Sequence, residues 1–259
     1  MDISIFTEYF EANEKDIGNM EDDRDVFNEF QQALQSVKGN LHVLEASVPI
    51  EKQMEYFRYS EKVRKHGKNE TVEEQIETLN SGQTSFEDTK YAMTFLAISG
   101  DVKAYRALET YSKNPKNELL SDWIAMSLLQ ARITLDTELS DEKQVFISTG
   151  LGGEGSRLRF YAFFKSEGLR PFSDYQRNLI EKEMPFHIRR YHGEVEKIQI
   201  EDTYFSVVFL TDLQVDLRTM LLNAVAECNE YGDFIQTSFV VTNVKKFGPE
   251  DIQRELQKR

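Results

Sequence analysis

One cysteine, one tryptophan, four histidines and five prolines are all that 259 residues hold of these types. A lone thiol, Cys228, can form no intrachain disulfide, which points to a reducing compartment, and a cytoplasmic location is the expectation. His42, His66, His187 and His192 stand at no paired ligand spacing, and the acidic residues form no calcium loop, so no metal centre is expected. Long uncharged apolar runs are missing, which argues against a membrane span. The start, Met1 to Glu8, has neither the basic opening nor the apolar core of a secretion signal. G-x-S-x-G, H-E-x-x-H and the P-loop are absent too, so no enzyme class is marked and no cofactor is expected.

Positive charge is scarce, and unevenly so. Residues 1–142 carry 15 basic and 28 acidic side chains, whereas residues 143–259 carry 16 and 17. An acidic surface repels phosphate backbones, so nucleic acid is not an expected partner of the first half. A protein partner is expected instead, with self-association left open.

What the chain does have is helical periodicity over its first part. Ala92, Phe95 and Leu96 share a stripe, Gly100 stops that helix, and Asp101 is placed to cap the next. Ala104, Tyr105, Leu108 and Tyr111 follow, then a breaker at Asn114–Asn117, then Leu120, Trp123, Ile124, Leu128, Ala131 and Leu135. Upstream, Val26 to Val37 reads as an amphipathic helix, and Ile3, Phe6 and Phe10 either as one face of an earlier packed helix or as part of a partner-binding arm that folds on contact. Leu41–Ile50 is ambiguous, and Met54–Lys65 reads as helix ended by a turn at His66–Asn69. Thr71 and Glu74 have capping-box spacing. The stretch Phe95–Ala104 resembles the inter-helix turn of HEAT repeats, and the likeness runs over residues 70–139. That resemblance implies a scaffold that binds partners on a concave face.

Near residue 140 the period changes to two. Gln144–Thr149 and Arg157–Phe164 alternate as two strands joined by a glycine-rich loop. A helix from Pro171 to His192 follows, with a kink or break expected at Pro185. Val195–Ile200 and Thr203–Leu210 read as a hairpin, Asp212 as the start of a helix to Tyr231, Phe234–Val244 as a strand, and Pro249 as the start of a last helix. The fold class read from this is α+β: an acidic, all-helical HEAT-like domain over 1–139, then an antiparallel-sheet domain over 140–259 with helices on one face. Its order is ββαββαβ, which contains the βαββαβ succession of ferredoxin-like folds. The stretches Gln144–Arg159 and Phe239–Phe247 also resemble a set of cytosolic Bacteroidetes proteins of no known activity.

Two constellations are candidates for chemistry. Gly150-Leu151-Gly152-Gly153-Glu154-Gly155 spells G-x-G-x-x-G but leads into a strand, so it is no dinucleotide fingerprint. What survives is a loop of backbone amides that can hold an anion, with Arg157 and Arg159 beside it; the alternative is a hairpin loop needing glycine geometry. The second is a basic cluster, His187, Arg189, Arg190 and His192, able to bind phosphate or simply to offset a helix dipole. The resulting expectation is a non-enzymatic cytosolic interaction or scaffold protein. The alternative is a small-anion-binding protein or enzyme built on the Gly150–Gly155 loop.

Overall fold

Local capping chemistry decides where the helices begin. In the computed structural model, which describes residues 40–66, 70–81, 84–139 and 144–258, the helices of the first part are α1 (Ile50–His66), α2 (Val72–Asn80), α3 (Phe86–Ile98), α4 (Val102–Lys113) and α5 (Ser121–Leu139). The expectations placed before Gly39 and on the turn after His66 lie outside the described residues. Thr71 accepts from the Glu74 amide while the Glu74 carboxylate accepts from the Thr71 amide, closing the expected capping box at α2. Ser85 caps α3 and Asp101 caps α4, each through a side-chain oxygen on a free amide. Gly100 sits at φ 69°, the left-handed backbone that lets α3 stop and α4 start two residues later.

The core of this helical body is aromatic and partly polar. Trp123 meets Tyr56 and Tyr59 edge-on, with ring centroids 5.1 and 5.2 Å apart, and its indole N–H donates to Thr94 Oγ1 at 3.0 Å. The Lys90 ammonium lies 4.0 Å from the Trp123 ring centroid and 2.9 Å from Glu55 Oε1. Leu79, Met93, Leu96, Leu108 and Leu120 fill the remainder.

The body is not all-helical with what precedes it. A strand, β1 (Asn40–Val43), pairs in parallel with β2 (Gln144–Ile147), so α1 to α5 lie between two neighbouring strands. This corrects the reading of 1–139 as helix only. It also removes the hairpin expected between β2 and the next long strand, because β2 finds its partner a hundred residues upstream. Gly39–Arg259 form one compact unit.

The remainder is β3 (Gly153–Glu154), β4 (Arg157–Ser166), α6 (Asp174–Arg190), β5 (Glu194–Ile200), β6 (Tyr204–Asp212), α7 (Leu217–Asn229), β7 (Ile235–Thr242) and α8 (Pro249–Gln257). All its strand pairs are antiparallel, in the order β7-β4-β6-β5, with the short β3 beside the start of β4. The molecule is thus α+β, and the βαββαβ succession is present from β4 onward. Alternation along β4 and β6 puts Phe160, Ala162 and Phe164 opposite Phe209, Val207 and Phe205. Phe164 stacks on Phe205 at 4.6 Å and 8°, and α6 and α7 pack together beyond this face. The other face, with Tyr161, Phe163 and Val208, is covered by Phe247 and by Ile252 and Leu256 of α8. Helices therefore lie on both faces, not one.

Two further expectations shift. Pro185 neither ends nor splits α6, because Ile180, Met184 and Ile188, all buried, anchor the helix on both sides of it. Asp212 ends β6, and it is Asp216 that caps α7 by accepting from the Thr219 amide.

Candidate functional site

The glycine-rich loop is built for close backbone approach. A Cβ at Gly150 would stand 1.8 Å from the Val244 carbonyl oxygen, and one at Gly153 would stand 2.2 Å from that of Arg157. Gly152 takes φ 68° against the carbonyls of Glu45 and Ala46. The loop amides already have acceptors: Leu151 donates to Asn243 O, Gly152 to Thr149 O and Gly153 to Glu45 O. The Gly155 amide points at Glu45 Oε1, 3.4 Å away, so a carboxylate of the chain itself stands where a bound anion was expected. The loop joins the segments around residues 45 and 243 to the sheet.

The two arginines beside it are also engaged. Arg157 reaches Glu154 at 3.2 Å and Glu194 at 3.0 Å. Arg159 grips Glu196 through Nε and Nη2 at 2.6 and 2.7 Å and donates to Leu151 O. These hydrogen bonds hold the Glu196 carboxyl below its ordinary range.

The basic cluster divides. His187 is buried in α6, 3.9 Å from Glu183 Oε2, and belongs to the core. Arg190 is exposed. Arg189 and His192 line a shallow groove of about 740 Å³, whose other walls include Pro185, Lys197 and, from the first candidate set, Arg157. The groove runs where the last turn of α6 meets β5, an edge strand carrying Glu194, Glu196 and Lys197 and bulged between Val195 and Lys197. His192 adopts φ 61° there, and Gly193 is pressed against Ile188, where a Cβ would clash at 2.6 Å.

The outer face of α6 adds what the sequence reading missed. Tyr175, Lys182, Phe186 and Arg189 are all exposed, Tyr175 by 58% and Phe186 by 53%. At roughly 100° per residue, their spacings of about 7, 11 and 14 from Tyr175 put them within a stripe about 60° wide. Aromatic and cation alternate along it, and it leads into the groove at Arg189. Lys182 and Arg189 form no ion pair with a described residue, unlike Arg157 and Arg159. The spacing was legible in the sequence; exposure of the rings was not. Among the described residues no trio of His, Cys, Asp or Glu is placed to hold a metal ion, and no helix is long and apolar enough to cross a membrane.

No family model and no curated protein matches this chain. Among solved structures, a protein described as a transposase of Deinococcus radiodurans aligns over 39% of this chain and 89% of its own, at 12% identity and a TM-score of 0.35. A REP-associated tyrosine transposase bound to a REP hairpin aligns over 38% and 61%, at 7% identity and a TM-score of 0.30. Such distant likenesses argue for no activity here. Beside these neighbours, a transposase and a transposase bound to a REP hairpin, the expected non-enzymatic interaction scaffold and the expected absence of nucleic acid at the acidic half are withdrawn.

Proposed function

We propose that the sheet-bearing half binds single-stranded nucleic acid along the outer face of α6 and into the groove beside β5. The observation that carries this is the exposed stripe of Tyr175, Lys182, Phe186 and Arg189. Exposed rings offer stacking surfaces to unpaired bases, and interleaved cations meet the phosphates between them. Residues 143–259 are close to charge balance and lack the acidic excess of the first half. Arg189 and His192 at the end of the stripe would receive a further phosphate.

The test is fluorescence anisotropy with a labelled mixed-sequence single-stranded DNA at low salt, repeated over a salt series. Saturable binding is expected, weakened by added salt. Phe186→Ala should cost about 1–3 kcal/mol of binding. Lys182→Glu with Arg189→Glu should weaken it further and flatten the salt dependence. Absence of saturable binding, or variants that bind like the parent, would overturn the proposal.

For the helical body the reading is HEAT-like stacking of helix pairs, supported by the α3–α4 turn at Gly100 and Asp101. A cytoplasmic setting is in keeping with the single buried thiol of Cys228, which burial pushes up to about 12.

A further inference from the structure

The Lys90 ammonium is enclosed on several sides. It lies 4.0 Å from the Trp123 ring centroid, 5.5 Å from that of Phe86 and 6.0 Å from that of Tyr59. Glu55, which also pairs with Lys52 at 3.0 Å, meets it at 2.9 Å, and the Lys90 side chain keeps only 12% of its exposure. Three helices contribute: α1 gives Glu55 and Tyr59, α3 gives Phe86 and Lys90, and α5 gives Trp123. Aromatic faces of this kind around a carboxylate attract a cation through the ring quadrupoles and a single negative charge. Glu87 and Asp88 bear on Tyr59 electrostatically and add to the negative field there. Phe86 is 40% exposed at the first turn of α3, so one wall of the enclosure faces solvent.

We infer that Tyr59, Phe86, Trp123 and Glu55 form an ammonium-binding cage, occupied in cis by Lys90, that accepts an alkylated ammonium ion in exchange for it. A primary ammonium is strongly hydrated and must give up that water to sit among rings. A quaternary ammonium gives up far less and presents methyl groups to them, so it is the ligand class the rings favour. The shared chemistry is a trimethylammonium group, whether from choline or from trimethyl-lysine. This site lies in the helical body and does not depend on the nucleic-acid reading.

The sequence holds a single tryptophan, Trp123, so its fluorescence reports the cage directly. Full-length protein is titrated with tetramethylammonium chloride against sodium chloride at matched ionic strength. Lys90→Ala, which empties the cage, should bind tetramethylammonium saturably and about tenfold or more tightly than the parent. Lys90→Met, which fills the cage with an uncharged chain, should not bind it. Neopentyl alcohol, similar in shape but neutral, should fail with all three proteins. Choline and free trimethyl-lysine are then compared on the parent protein, and the one that displaces Lys90 names the source. As a second readout, tetramethylammonium should speed acetylation of Lys90 by acetic anhydride in the parent protein, followed by peptide mass spectrometry. The inference is overturned by a folded Lys90→Ala with no saturable response, by equal binding of the neutral analogue, or, should that variant not fold, by an unchanged acetylation rate.

Discussion

The helical body and the sheet-bearing half solve the same burial problem with different materials. Around Trp123 the helices mix rings with polar groups: Thr94, Ser127 and Gln130 are buried there, and an ammonium–carboxylate pair reaches in from the edge. Between the sheet and α6 and α7 the core is drier, with Phe160, Phe164, Phe205 and Phe209 stacked across β4 and β6. A polar core specifies geometry through directed contacts, while a ring stack stabilises through area and close packing. The two halves should therefore respond differently to truncation and to pH.

The largest effect is expected in the ring stack. Phe164→Ala should lower stability by about 3–5 kcal/mol in urea unfolding. Trp123 fluorescence should shift with it if both halves unfold together; an unmoved Trp123 midpoint would show that they unfold separately. Next is the junction between the halves. Gly150→Ala forces a Cβ onto the Val244 carbonyl and should cost about 1–3 kcal/mol, read by thermal unfolding. In the helical body, Lys90→Ala should cost about 1–2 kcal/mol in the absence of any added cation.

The smallest effect is at the sheet edge. Arg159→Ala should cost up to about 1 kcal/mol near neutral pH. Because Arg159 depresses the Glu196 carboxyl, this contribution is full above the unfolded glutamate value of about 4.3 and fades as pH falls through the lower folded value. The stability gap between parent and variant should close below about pH 4. A gap that stays constant into acid would mean that Arg159 acts through its bond to Leu151 O alone.

Legibility followed range. Ser85, Asp101 and the Thr71–Glu74 box were readable because cap and capped amide lie within three residues. The βαββαβ order was readable from alternation, whereas the stripe on α6 was missed because nothing local shows which rings stay exposed. The β1–β2 pair was not readable either, since Asn40 and Gln144 carry no local sign of each other. The glycines of the 150–155 loop could be seen, but their neighbours at Glu45 and Val244 could not. The break allowed for at Pro185 did not form for the opposite reason: the local rule is sound, and burial on either side of it kept the helix continuous. Trp123, Tyr59 and Lys90 each looked like ordinary helix residues until three helices brought them together.

The parallel pairing of β1 and β2 has a topological consequence. Adjacent parallel strands need a crossover, and about a dozen residues suffice for one. Here the whole stack α1 to α5 serves as that crossover, leaving by β1 and returning at β2. The coiled portion is thus an oversized detour whose two gateposts stand side by side.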